Sequence, residues 1–391
     1  MPTAPLLIMG GGPVGLALAL MLARRAVRSI VVDGRTLEQA QADRRLLALS
    51  RGTLQLLAPL IDVAALSVAP IRSVVVSSAG EFGRVGIGAD DLGPEPLGVT
   101  IRYGDLLEPL ARACVGNPNL EVRRPCRLTA VRQQPQQVVA ELEGGVCMAP
   151  LLINAEGTPV PATDAASTSP VALIADAWID GPASGTAFER FTREGPLALL
   201  PLPHGAPGGP RDPGLPAGAQ PMALVWCMPQ QAAERRRQLP DADFLAELQQ
   251  SFGRSGRLLR VGPRTAYVLH QQAREQLHEH RVVWIGNAAQ TLHPVAGQGL
   301  NLGMRDAAAL ADQLAQAGAA ARDPVTVLDD YARRRRADRA AIVLLTRTMP
   351  GLFATRAAPV ALGRSLALTA LSAFPDARRQ FARLLMFGVR S

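Results

Sequence analysis

The chain has 391 residues, 48% of them hydrophobic, with a formal charge of +8 from 41 basic and 33 acidic residues. That length suits two interlinked domains or three lobes, and the apolar content excludes a disordered chain. Every basic residue is arginine, aromatics are only 4%, and no zinc-finger, homeodomain or RNP-type pattern occurs, which argues against nucleic acid and for an anionic cofactor or lipid surface.

The four cysteines, Cys114, Cys126, Cys147 and Cys227, are scattered and form no CxxC pair. Reduced thiols on a cytosolic face follow, not a disulfide framework. Leu6 to Ala23 is a long apolar run, but three glycines and Pro13 interrupt it and no basic region precedes it. It reads as a buried strand and the first turns of a buried helix, not a signal peptide or membrane span.

In chain order, Ala4 to Met9 is an apolar strand, and the spaced glycines Gly10, Gly12 and Gly15 with Pro13 complete a GxGxxG turn. A helix is predicted through Arg25, then a second strand from Ser29 ending in Asp33. This order is that of a dinucleotide-binding unit. The glycines permit a tight turn and close pyrophosphate approach, the helix N-terminus faces the phosphates, and Asp33 accepts from a ribose hydroxyl. FAD and NAD both remain open on this unit alone. Asp43 to Ser50 is predicted as a basic turn leading into a helix through Leu60, with Arg45 either reaching a phosphate or facing solvent.

Residues 71–100 alternate as strand and hairpin material, Tyr103 to Cys114 is helical, and short strands follow to Met148. Leu151 to Ala155 is a buried strand running into Glu156-Gly157, and residues 158–170 read as a linker. Strands are predicted at Val171–Ile179, Ala187–Thr192, Leu197–Leu202, Met222–Met228 and 264–270, forming one antiparallel sheet over the ligand. His204 to Pro221 is a Gly/Pro-rich loop, and Phe244 to Phe252 is a short helix.

The stretch from Val282 to Asp306 organises the rest. An apolar strand ends at Gly286, a polar turn carries Asn287, His293, Pro294, Gly297 and Gly299, and helical spacing resumes from about Asn301 through Leu302 and Met304. Strand, glycine turn and helix N-terminus present backbone N–H groups and a positive dipole end to something anionic. Pro324 to Arg347 is a helix containing four consecutive arginines, and an apolar, Arg-rich region follows Pro350. For that terminal region, core packing or an oligomer contact stands against a helix lying on an anionic membrane.

These strings resemble the class A flavoprotein aromatic hydroxylases, the p-hydroxybenzoate-hydroxylase-like group. They are most similar to its ubiquinone-biosynthesis branch, the 2-polyprenyl-6-methoxyphenol hydroxylases. The likeness covers most of the chain. It rests on Gly10–Gly15, Phe188-Glu189-Arg190-Phe191-Thr192, Gly195 to Pro201, Leu224 to Cys227, and Gly286 to Pro294. Glu156 stands where the family usually has Asp, and the tail after it is short; Asn287 matches the quinone branch where the wider family has Asp.

The resemblance implies an α/β fold: a FAD-binding, Rossmann-like (GR2-type) domain, an interleaved antiparallel-sheet substrate domain, and a C-terminal helical region. The expected division is 1–70, 101–157 and 281–320 for FAD, 71–100 and 171–280 for substrate, and 321–391 for the helices. FAD would be held by Gly10, Gly12, Pro13, Gly15, Asp33, Arg45, Asn287, Pro294, Gly297, Gly299, Leu300 and Asn301. His293 and Pro294 would position chemistry at the flavin ring, though His293 could equally cap its turn. NAD(P)H would be a transient reductant and O₂ a co-substrate, and a flavin C4a-hydroperoxide would hydroxylate a polyprenyl phenol. Rival expectations are another aromatic or prenyl substrate on the same fold, and a non-catalytic member of a quinone-synthesis assembly. Expected associations are a polyprenyl phenol or other aromatic small molecule, no nucleic acid, peripheral membrane contact, other quinone-pathway proteins and a homo-oligomer. The expected location is the cytoplasm or the membrane periphery.

Overall fold

The computed structural model describes residues 4–157, 169–181, 184–203, 214–216, 218–319, 322–355 and 358–389. Leu6–Met9 is the fourth strand of a six-stranded sheet ordered His278–Glu279, Val282–Trp284, Leu152–Asn154, Leu6–Met9, Ser29–Val32, Leu120–Arg123. Neighbours run parallel except at the edge strand His278–Glu279, which is antiparallel. Central parallel strands are buried on both faces and so read as unbroken apolar runs. The Pro13–Ala23 helix covers one face; all its residues but Val14 are buried, packed with the Tyr103–Cys114 and Gln298–Ala319 helices. A meander of Leu128–Gln133, Val138–Leu142 and Gly145–Ala149 covers the other, setting Val138 and Ala140 against Leu7 and Val32.

An eight-stranded sheet forms the second layer. Its path is Arg257–Val261, Val171–Asp180, Gln220–Met228, Pro196–Pro201, Thr186–Phe191, Ser73–Ser78, Arg84–Ile87, with Thr265–Val268 also paired to Val171–Asp180. The strands predicted between 171 and 270 do pair antiparallel with one another, and the exception in this sheet comes from Ser73–Ser78, which joins it parallel to Thr186–Phe191. The reason lies in the chain path, because these two strands are separated by the whole nucleotide-side excursion and no hairpin links them. The helices Gln230–Gln238 and Asp241–Phe252 pack on one face, burying Phe244, Leu248 and Phe252 against Trp226 and Phe188. The first of them had no counterpart in the predicted elements.

The predicted entry into a helix at Asp43–Ser50 is also corrected. Leu46–Ser50 is a strand, paired antiparallel with Gly98–Arg102, which pairs in turn with Ala69–Ile71; the helix starts only at Arg51. Ser50 marks the change by capping that helix through its hydroxyl. The C-terminal part is helical: Leu328–Ala354, Ala358–Ala373 and Pro375–Phe387. Most of the predicted linker and of the loop after His204 lie outside the described residues. Among the described residues, no helix is long and apolar enough to cross a membrane.

Candidate functional site

The first glycine turn is shaped by close approach. Gly10 has φ +103°, and a methyl group there would come within 2.8 Å of the Ala155 and Glu156 backbone. The Pro13–Ala23 helix starts after Gly12 without any side-chain cap. Its leading N–H groups therefore face outward, toward whatever occupies the adjoining space. Asp33, at the end of the next strand, is buried; it accepts from the Gly11 N–H at 2.8 Å and from the Arg35 N–H at 2.9 Å. Arg124 donates to the Gly11 carbonyl and lies 3.4 Å from the Asp33 carboxylate. The acid thus sets the turn as well as lining the space beside it.

The second turn is built from Gly286 to Asn301. Gly297 has φ +58°, in the left-handed region that glycine enters at little cost. The Gln298–Ala319 helix begins directly after it, slightly earlier than the predicted start, and puts Gly299 and Leu300 in its first turn. Asn301 spends its amide inside the protein. Its Oδ1 accepts from the Ser50 N–H (2.9 Å) and the Thr53 hydroxyl (2.7 Å), and its Nδ2 donates to the Ala48 (3.0 Å) and Gly297 (2.9 Å) carbonyls. Asn287 donates to the Gly157 carbonyl at 3.2 Å, tying this turn to the strand end at Glu156. Behind both, fully buried Asp306 accepts from the Gly286 N–H, Gln290 and Arg335, and Arg335 forms an ion pair with Asp338. The predicted arginine run therefore contributes a buried pair to the scaffold of the turn.

One cavity of about 1110 Å³ receives both turns. Gly10, Gly12, Pro13, Asp33, Arg45, Asn287, His293, Pro294, Gly297, Gly299, Leu300 and Asn301 all line it. Gly15 does not; a methyl group there would overlap the Gly10 carbonyl oxygen, so this glycine serves helix–strand packing. Arg45 lines the cavity with its guanidinium paired to Asp43 at 2.6 Å and set over the Tyr103 ring. Arg35, Arg102, Tyr103 and Arg127 also line it and were not anticipated. Their signal in sequence is weak, since they lie at the ends of strands scattered along the chain and nothing local distinguishes the three arginines from solvated ones.

His293 is buried, and burial lowers its pKa to about 4, so it is neutral near pH 7. Its Nδ1 has no hydrogen-bond partner among the described residues. Beyond His293 the cavity turns apolar. One wall is the eight-stranded sheet, through Val74, Val76, Ile174, Ala187 and Val225; the other is the terminal helices, through Met349, Phe353, Leu368 and Leu385. Phe191 stacks on Phe353 at 3.8 Å and joins the two walls.

A two-ended cofactor fits these residues. The uncapped helix N-terminus and glycine turn suit phosphates, and the second turn offers N–H donors to a polar ring edge. The volume exceeds the roughly 300–1,000 Å³ of a common small-ligand pocket, leaving room for a second molecule. Among the described residues, no group of His, Cys, Asp and Glu could hold a metal.

Residues 3–346 match the model of the FAD binding domain. The chain is 31% identical to the ubiquinone hydroxylase UbiL of Rhodospirillum rubrum, over 98% of this chain and 89% of that protein. It is 30% identical to the 3-demethoxyubiquinol 3-hydroxylase of Escherichia coli, over 85% of each. In fold it is similar to p-nitrophenol 4-monooxygenase PnpA of Pseudomonas putida, with TM-score 0.74, 18% identity and full coverage of both chains.

Proposed function

This chain belongs to the FAD binding domain family and is a FAD-dependent monooxygenase, and from that premise we propose that it hydroxylates the aromatic ring of a polyprenyl phenol in ubiquinone biosynthesis. The observation that carries this reading is the two-part cavity, with glycine turns and arginines at one end and apolar walls at the other. FAD supplies activated oxygen when bound, with NAD(P)H as reductant and O₂ as co-substrate. The protein's own contribution is position, charge and exclusion of water.

In this reading residues 1–70, 101–157 and 281–320 hold the cofactor, 71–100 and 171–280 cover the substrate, and 321–391 close the site. Gly10, Gly12 and Pro13 take the pyrophosphate at the uncapped helix N-terminus. Asp33 keeps an acceptor lone pair for a ribose hydroxyl, and Arg45 offsets phosphate charge. The N–H groups at Gly299 and Leu300 face the ring edge where negative charge collects on reduction. Neutral His293 and Pro294 bound the space beside that ring. The apolar half receives the isoprenoid tail, which contributes by burial of its hydrocarbon surface.

The cavity wall residue Leu352 is 45% exposed, and Leu344, Leu362, Leu366 and Phe374 on the same helical region are also exposed. Exposed apolar side chains on the helices that wall the cavity suit uptake from a bilayer surface. Purified protein loaded with FAD should convert a prenylated phenol to a product one oxygen heavier in the presence of NADPH and air. A gene deletion should accumulate the matching unhydroxylated quinone precursor. Flotation with anionic vesicles should carry the protein upward, and less so after Leu362→Asp with Leu366→Asp. Loss of flavin binding, or an unchanged quinone profile in the deletion strain, would remove the central reading.

A further inference from the structure

A second, small cavity of about 10 Å³ adjoins the large one. Thr291, Leu292 and His293 line both, so this stretch of the turn is the partition between the two spaces. The Leu328–Ala354 helix closes the small cavity with Val343, Thr346 and Arg347. Its volume suits a single water molecule, which occupies roughly 10–15 Å³ on this measure and needs two to four polar partners.

The polar groups around it dictate how such a water is oriented. Thr291 donates its hydroxyl proton to the Asn287 carbonyl at 3.2 Å. Thr346 donates to the Ile342 carbonyl at 2.9 Å, with the Val343 carbonyl at 3.2 Å. Each hydroxyl thus has only lone pairs left for the small cavity, while the Arg347 guanidinium can only donate. A water seated there gives its two protons to the two hydroxyls and turns its lone pairs to Arg347 and His293. His293 is 4% exposed, and its Nδ1 has no hydrogen-bond partner among the described residues. Burial keeps the ring neutral near pH 7, with one N–H and one bare nitrogen. Which nitrogen carries the proton is set by the bond the ring makes. A water with only lone pairs to offer selects N–H at Nδ1 and leaves Nε2 bare.

We infer that the small cavity holds one water that fixes His293 in its Nδ1–H form, so that the bare Nε2 accepts the O–H of a phenol bound in the large cavity. The inference rests on the substrate class proposed above and makes His293 a substrate-binding residue. The phenol keeps its proton within the hydrogen bond, and no bond is broken or redox change made at His293. The bond fixes which ring carbon faces the flavin and pushes electron density into the ring, which becomes the better target for an electrophilic oxygen.

The first test needs no substrate. In FAD-loaded protein carrying heavy nitrogen in its histidines, nuclear magnetic resonance correlates the ring nitrogens with the carbon-bound ring protons and reads the tautomer directly. The His293 signal is the one missing from His293→Gln. It should show the Nδ1–H form in the wild type and move toward Nε2–H in Thr346→Val, which keeps the shape of Thr346 but removes an acceptor for the water. The second test compares 2-geranylphenol with its methyl ether, binding being followed by the perturbation of the oxidised flavin spectrum. The wild type should prefer the phenol by about fivefold, the scale of a hydrogen bond between neutral groups. His293→Leu should erase that preference while leaving ether binding within about twofold, and Thr346→Val should reduce it. An Nε2–H form in the wild type, or an equal preference for phenol in wild type and His293→Leu, would overturn the role of His293 while leaving the substrate class intact. Failure of the wild type to bind either probe would overturn the substrate class, and this inference with it.

Discussion

A methyl group on Gly15 has nowhere to go except into the Gly10 carbonyl. Gly15→Ala should therefore lower stability by about 1–3 kcal/mol, the cost of overpacking a close backbone contact, and yield protein with little bound flavin. Thermal melting of the apoprotein together with the flavin-to-protein absorbance ratio checks both effects. The position was legible from sequence because glycine spacing between a strand and a helix is a local signal. His293 poses a different question, one of protonation. Burial lowers its pKa from 6.5 to about 4, so the unfolded chain binds the proton first as pH falls. Stability associated with this group is present above pH 6.5 and is lost between there and pH 4, on the order of 3 kcal/mol in all. His293→Gln should flatten that part of the curve, and urea midpoints at pH 7 and pH 5 should differ less in the variant than in the wild type. Its burial was not legible, since a histidine beside a proline in a polar turn carries no local sign of the apolar wall that covers it.

The two glycine turns are held together by elements whose partners lie far away in sequence. Asn301, at the start of the Gln298–Ala319 helix, bonds the Leu46–Ser50 strand at Ala48 and Ser50 and the next helix at Thr53. Sequence reasoning placed Asn301 among cofactor ligands, and its side chain proves to be a clamp between the cavity-lining strand and the glycine turn. Asn301→Ala leaves the Ser50 N–H and the Ala48 and Gly297 carbonyls without that partner. The expected loss is about 2–4 kcal/mol, from one to three unsatisfied buried groups. Urea unfolding measures it, and flavin should also dissociate faster. The Leu46–Ser50 strand itself was misread because its apolar run carries no alternation, and its pairing with Gly98–Arg102 spans half a hundred residues. Local pattern decides a helix when a capped run follows, as at Ser50, but it cannot announce a distant strand partner. The buried Asp306–Arg335 pair escaped notice for the same reason: one arginine within a run of four looks solvated until the fold puts an aspartate against it.

At the scale of the molecule, the cavity exists only because three separate regions close on it: the nucleotide-side turns, the eight-stranded sheet and the terminal helices. The first two were legible, one from its motif and the other from alternating strands. The third was not placed, since an apolar, Arg-rich helical segment fits a core, an interface or a membrane surface equally well by composition. Phe353 and Leu368 decide it for the inner face of these helices, for they pack with Phe191, Val85 and Val295 in one cluster along the cavity. A substitution there should act on substrate length, not on the cofactor. Leu368→Trp adds bulk to the apolar half while leaving the glycine turns untouched. Phenols carrying one isoprene unit should bind as before, whereas those carrying four or more should weaken about tenfold, as buried hydrocarbon is forced back into water at roughly 25 cal/mol per Å². The flavin-to-protein ratio should not change. A titration series of phenols with increasing chain length measures the effect, and an equal loss at every chain length would place the tail somewhere other than between the sheet and these helices.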